Sequence, residues 1–249
     1  MLARLELKIK CNQEIVYQMA SLFHGALMEM LPKEYAGYLH LSQLHPYTQH
    51  LEFRNGEWYW VICCLNEEAV KAVIYDGLWN VNKFTIRNRN MEVQVVQKNY
   101  SETTYKELMS SFYDEESSRY IHIHFTSPTA FKQNGQYLFY PDIRCVFQSL
   151  MNKYDSAVRD EVMTDEDTLE QLCANAKIVD YDLKSVSFSL EGVKIPSFIG
   201  KITIKMQETG TMTNFANMLF KFGTYSGVGI KTSLGMGCIR ILPDERRKR

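Results

Sequence analysis

Residues 51–66, LEFRNGEWYWVICCLN, hold two strand patterns joined by a tight turn and followed by the start of a helix. Leu51 to Phe53 and Trp58 to Leu65 are apolar and aromatic runs. Between them, Arg54-Asn55-Gly56-Glu57 centres on Asn-Gly, a pair that accepts the positive φ values of a hairpin turn. Asn66 then offers a side-chain oxygen to the unpaired N–H groups of a helix over Glu67 to about Gly77, where glycine marks the stop. Upstream, Leu2, Leu5, Leu7 and Ile9 recur as in a half-buried strand. Ile15, Met19, Leu22, Phe23, Ala26, Leu27 and Met30 then follow at spacings of three and four, the stripe of an amphipathic helix that Asn12 would cap. Pro32 opens a short helical turn to Leu39, and Thr85 to Val96 supplies one more strand. The order is β-α-β-β-α-β.

The second half repeats that order with insertions: a strand over Tyr120 to Phe125, a helix over Pro141 to Tyr154, and a hairpin of Ser185 to Leu190 with Phe198 to Met206. A helix over Thr213 to Phe222 ends at Gly223, and Cys238 to Leu242 forms a last strand. Asp155 to Glu170 reads as a solvated helix or loop. The expected fold is therefore α+β, two tandem ferredoxin-like (RRM-like) βαββαβ domains, residues 1–115 and 116–249.

The chain has 249 residues, 45% hydrophobic and 23% charged, enough apolar surface to exclude disorder over most of its length. The longest apolar run, Trp58 to Leu65, is too short for a bilayer, which needs about 20 residues. The N-terminus reads as a strand rather than a secretion signal, and the six cysteines are scattered without a CxxC pair. Reduced thiols and a cytoplasmic location are expected, with no membrane contact. The net charge of −1 hides a segregation. Residues 101–180 carry seven basic and fourteen acidic side chains, net −7, whereas residues 200–249 carry nine and three, net +6. An anion-binding face is expected at the basic end, with the acidic block away from it.

The densest motif is Gly227-Val228-Gly229-Ile230-Lys231-Thr232-Ser233-Leu234-Gly235-Met236-Gly237. Its glycines permit exposed N–H groups to approach phosphate oxygens; equally, they permit the last strand to pack. It is neither a dinucleotide fingerprint, since Thr232 stands where glycine is needed, nor a P-loop, since Ile230 precedes Lys231-Thr232. Four of the six histidines, His24, His40, His45 and His50, lie in the first fifty residues. Imidazoles brought together can serve as base and acid near neutral pH. His122 and His124 share one side of a strand without a fitting third metal ligand nearby. No G-x-S-x-G, HExxH or RNP1 pattern occurs.

GVGIKTSLGMGCIRI (Gly227 to Ile241) resembles the glycine-rich loop of the RAMP superfamily, and more narrowly that of the CRISPR-associated endoribonucleases that process precursor CRISPR RNA. Phe125-Thr126-Ser127-Pro128-Thr129-Ala130-Phe131-Lys132 is similar to that family's segment opening the second half, and Tyr140-Pro141-Asp142 with Val146 to Leu150 to its next helix. Phe23-His24-Gly25-Ala26-Leu27, Tyr38-Leu39-His40 and Pro46-Tyr47 follow the family pattern near the N-terminus.

The resemblance implies cleavage of repeat RNA without metal or other cofactor, by attack of a ribose 2′-OH on the adjacent phosphorus. The products carry 2′,3′-cyclic phosphate and 5′-OH ends. His40 matches the family's usual catalytic histidine. His24 lies where relatives place a partner on the first helix, and His45 where some carry lysine; Lys231 is the rival for that charge-stabilising role. Gly227, Gly229, Lys231, Thr232, Ser233, Gly235, Gly237 and Lys132 are the expected RNA-binding residues. Lys201, Lys205, Arg240 and the tail Arg246-Arg247-Lys248-Arg249 are further phosphate partners. Beside repeat RNA, the resemblance implies a second copy of the chain and a CRISPR effector complex as partners. The alternative reading is a RAMP subunit that holds guide RNA in such a complex and cuts nothing; the His24/His40 pair separates the two.

Overall fold

A computed structural model of the chain describes residues 1–42, 44–114, 117–158, 165–190, 192–208 and 210–244. The chain forms two compact units, Met1–Thr103 with Lys231–Gly235, and Thr104–Ile230 with Met236–Arg249. The basic tail 246–249, Glu115-Glu116, and residues 159–164 of the acidic stretch lie outside the described residues.

The first unit is built on strands β1 (Leu2–Cys11), β2 (Tyr47–Arg54), β3 (Glu57–Cys64), β4 (Lys83–Ile86) and β5 (Met91–Thr103). They pair antiparallel in the order β2-β3-β1-β5-β4. Alternation along β1 buries Leu5, Leu7 and Ile9 in one core with Phe23, Ala26 and Leu27 of helix α1 (Ala20–Met30). Helix α2 (Lys33–Leu41) follows Pro32 and buries Tyr35 and Leu39. Helix α3 (Glu67–Ala69) continues as a π-helical stretch, Val70–Leu78. At the centre, the fully buried Trp60 meets Phe23 edge-on at 5.3 Å and Phe84 at 5.3 Å. Asn55 and Gly56 turn the β2–β3 hairpin with φ values of 52° and 78°.

In the second unit, β6 (Tyr120–Thr129), β9 (Ala176–Leu190), β10 (Val193–Met206) and β11 (Ile239–Leu242) form an antiparallel sheet in the order β11-β6-β10-β9. Between β6 and β9 a short hairpin, β7 (Phe131–Gln133) and β8 (Gln136–Leu138), turns at Asn134-Gly135. The helices are α4 (Tyr105–Asp114), α5 (Ile143–Ala157), α6 (Glu166–Asn175) and α7 (Thr211–Ser226). Asp142 and Asp165 cap α5 and α6. Rings of α5 and α7 pack together, Phe147 on Phe220 at 5.6 Å and Tyr154 on Phe222 at 5.2 Å. Both units have the strand order of a ferredoxin-like sheet, the first with β4 added at one edge. Among the described residues no helix is long and apolar enough to cross a membrane.

Several local expectations are corrected. Asn12 does not cap α1: a 3₁₀ turn, Tyr17–Met19, precedes that helix, and the Asn12 side chain accepts from Glu92 N–H at 3.2 Å. Asn66 does cap its helix, accepting from Ala69 N–H at 2.8 Å, but Gly77 and Gly223 stop nothing. They lie within helical segments, where an added Cβ would come to 3.0 Å from Leu31 Cδ2 and 2.7 Å from Leu150 Cδ2 respectively. These glycines permit close packing. Thr85 to Val96 is two strands, broken at Arg87–Arg89 with Asn90 at a φ of 47°. The two charged blocks of the sequence interleave in one sheet: β6, within residues 101–180, pairs with both β10 and β11, and β9 sets Asp180 opposite Thr203.

Candidate active site

Three histidines gather in the first unit. Phe23 and Leu27 bury α1 on the sheet, which leaves His24 half-buried at the helix edge. Leu39 anchors α2 in the core, so the exposed His40 stands in its last turn. His45 lies in the connection to β2, and Tyr47, the first residue of that strand, is fully buried. The rings of His24, His45 and Tyr47 run nearly parallel, with centroids 6.3 Å (His24–His45), 5.6 Å (His45–Tyr47) and 6.3 Å (His24–Tyr47) apart. The Tyr47 hydroxyl donates to Met28 Sδ at 3.8 Å.

Their electrostatics are coupled. Burial pushes the His24 pKa down to about 4, and the nearby His45 and His40 charges push the same way. The His45 pKa is also lowered, by burial first and by His40, against a hydrogen bond with the Leu39 backbone that favours protonation. Both imidazoles are therefore held neutral at physiological pH. Among the described residues, His24 Nε2, His45 Nδ1 and the Tyr35 hydroxyl are buried polar atoms with no hydrogen-bond partner. A neutral imidazole with an unused nitrogen can accept a proton or a hydrogen bond from a bound molecule.

The glycine-rich loop divides between the units. Lys231–Gly235 folds with Met1–Thr103, so Lys231, Thr232, Ser233 and Gly235 share a unit with the three histidines, whereas Gly227, Gly229, Gly237 and Lys132 belong to the other. Lys231 adopts the left-handed conformation at a φ of 55°, and Leu234 N–H returns to Lys231 O at 3.0 Å, closing a 3₁₀ turn over Thr232–Leu234. Gly235 has a φ of 107°, and a Cβ there would lie 2.2 Å from Ala20 Cβ on α1.

In the second unit Gly227 ends α7 at a φ of 64°. Gly229 N–H donates to Ser149 Oγ at 2.8 Å, and a Cβ at this glycine would lie 2.3 Å from Ala130 O. Val228 N–H reaches Gly237 O at 2.8 Å, and Gly237 N–H reaches Pro128 O at 3.0 Å. Close approach thus accounts for Gly229 and Gly235, and the N–H groups of Gly227 to Ile230 are spent inside the fold. Lys132 is exposed on β7.

On the side of the second sheet opposite Ile121, Ile123 and Phe125, His124 pairs with Lys201 on β10 and Arg240 on β11. Its pKa is lowered by burial and by those two cations. His122 Nδ1 lies 3.0 Å from Thr203 Oγ1, and its Nε2 lies 3.6 Å from Asp244 Oδ1. Lys205 sits over the Tyr120 ring at 5.6 Å. Among the described residues no three His, Cys, Asp or Glu side chains converge to hold a metal ion.

Sequence reasoning missed Gln49 and Tyr35. Gln49 precedes Leu51, where the apolar strand pattern begins, and four consecutive residues, Tyr47 to His50, are buried.

A family model described as CRISPR-associated endoribonuclease Cas6 matches residues 123–239. The chain is 36% identical over 226 residues to a CRISPR-associated endoribonuclease Cas6 of Streptococcus thermophilus, covering 91% of each chain. It is 32% identical over 224 residues to the Cas6 of Mycobacterium tuberculosis, covering 88% of this chain and 70% of that one. Among solved structures, a Cas6 product complex superposes with a TM-score of 0.79 at 23% identity, covering 97% of this chain and 99% of that one. A Cas6-related protein from Pyrococcus furiosus gives a TM-score of 0.64 at 14% identity, covering 98% and 100%.

Proposed function

Since this chain belongs to the CRISPR-associated endoribonuclease Cas6 family, we propose that it cuts precursor CRISPR RNA within its repeats through the His24–His40–His45 cluster, without a metal ion. It is an endoribonuclease, and its substrate is CRISPR repeat RNA. The observation that carries the site assignment is the electrostatic coupling of the three histidines in the unit that also holds Lys231.

The reaction needs a base for the 2′-OH, an acid for the leaving oxygen and a cation for the phosphorane. His24, neutral and with an unpartnered Nε2, is suited to take the 2′-OH proton as O2′ attacks phosphorus. The P–O5′ bond then breaks, and His40, exposed in the last turn of α2, is suited to protonate O5′. This leaves a 2′,3′-cyclic phosphate and a 5′-OH. An RNA phosphate beside the cluster raises the His24 pKa from about 4 toward neutrality, because opposite charge favours imidazolium. His45 is kept neutral by burial, which leaves the phosphorane charge to Lys231 and gives His45 an orienting role in the ring stack. Lys132 and the cationic side of the second sheet, Lys201, Lys205 and Arg240, supply phosphate contacts.

His40→Ala is expected to abolish cleavage of a repeat-containing RNA by the purified chain, and EDTA to leave wild-type cleavage unchanged. Undiminished cutting by H40A removes His40 from the mechanism, and loss of activity in EDTA overturns the metal-free reading.

A further inference from the structure

We propose that Gln49 is a positioning residue for cleavage: it fastens Lys231–Gly235 to the first turn of α1, one helical turn from His24, and thereby sets where Lys231 stands. The proposal rests on reading the histidines and Lys231 as the cutting site.

Gln49 lies on β2 with 1% of its surface exposed, and both amide N–H groups and its oxygen are hydrogen-bonded within the first unit. Its Oε1 accepts from Trp60 Nε1 at 2.9 Å. Its Nε2 donates to Ala20 O at 2.9 Å and to Ser233 O at 3.0 Å. The orientation of the amide follows from chemistry. An indole N–H only donates, so the oxygen must face Trp60, and the two amide hydrogens then face two carbonyls that only accept. Trp60 cannot swing away, being fully buried against Phe23 and Phe84. Gln49 is therefore a fixed bracket between the sheet, the start of α1 and the loop.

The loop end of the bracket is equally constrained. Ser233 is the middle residue of the 3₁₀ turn that Leu234 N–H closes onto Lys231 O. Gly235, just beyond, is packed so tightly on Ala20 that no Cβ fits. Ala20 and His24 are four residues apart on one helix and so share a face. The loop thus touches α1 on the face that carries His24, and Lys231, held left-handed two residues before Ser233, has little freedom to stand elsewhere. A misplacement of about 1 Å in a catalytic constellation can cost on the order of 100-fold in rate.

Gln49→Glu keeps the acceptor for Trp60 but has no N–H for Ala20 O and Ser233 O; Gln49→Met keeps the volume and removes all three bonds. Single-turnover cleavage at saturating repeat RNA and the RNA Kd are measured for both, alone and combined with Lys231→Met. The expected result is a rate loss of about 10- to 100-fold with Kd changed less than about threefold, and no further loss when Q49E is added to K231M. Gly235→Ala disturbs the same attachment from the loop side and is expected to show the same pattern; it decides the matter if both Gln49 variants lose the native tryptophan fluorescence. Wild-type rates in folded variants, or losses that multiply with that of K231M, overturn the proposal. H40A is the control: if it is dead while the Gln49 variants cut normally, only the positioning role fails, whereas if H40A cuts normally the underlying reading fails.

Discussion

Replacing His24 by Phe should erase a specific part of the acid sensitivity of folding. In the folded chain burial and the neighbouring histidines hold the His24 pKa at about 4, against 6.5 when unfolded. Between those values the unfolded chain binds a proton that the folded chain refuses, so stability rises with pH across the window. The contribution is complete above pH 6.5 and is lost as pH falls toward 4. About 2.5 pKa units correspond to roughly 3 kcal/mol, a large share of the stability of an ordinary domain. Phe retains a ring against His45 and Tyr47 and cannot titrate. Urea denaturation at constant ionic strength, at intervals from pH 7.5 to 4, gives the stability of both proteins, and their difference cancels the carboxylates and most of the His45 contribution. Wild type should lose about 3 kcal/mol more than H24F over the range. Parallel curves, within about 1 kcal/mol, would refute the claim that His24 is buried neutral beside two other imidazoles.

Two further outcomes test the loop and its support. Gly229→Ala places a Cβ 2.3 Å from Ala130 O at a φ of 81° and should destabilise by about 2–4 kcal/mol, from left-handed strain and overpacking together; a thermal midpoint unchanged from wild type would contradict the close approach. Lys153 is buried in α5, donates to Ser226 O at 3.2 Å and Gly227 O at 3.1 Å, and has its pKa pushed down by burial to about 7. Because the unfolded lysine stays protonated to its ordinary 10.5, stability should climb between pH 7 and 10, and Lys153→Met should flatten that slope; equal slopes in urea titrations would show the amine to be hydrated.

The parts of the fold legible in the chain are those set by near neighbours. Asn55-Gly56 needs only its own backbone freedom to make a turn, and Ile121, Ile123 and Phe125 need only the two-residue period of a strand to find one face. The same local rule applied to Gly77 and Gly223 misleads, because those glycines answer to Leu31 and Leu150, far away in sequence. The hairpin at Asn134-Gly135 carries a good turn signal, but its strands are three residues each, too short for periodicity to register. The acidic and basic blocks of the sequence also interleave in space, since strand pairing sets β6 between β10 and β11 and Asp180 opposite Thr203 regardless of distance along the chain.

The site shows the same division. From sequence alone came the α+β order, the family resemblance, and the identity of three histidines and a glycine-rich loop as the residues to watch. Only the tertiary structure decided that Lys231–Gly235 folds with the histidines rather than with the rest of the loop, that Gln49 is the buried bracket between them, and that His24 is neutral. The physical reason is range. Turn and strand preferences act through a residue's immediate neighbours, whereas desolvation, charge coupling and a hydrogen bond between residues 49 and 233 come into being only when the folded chain brings those groups together.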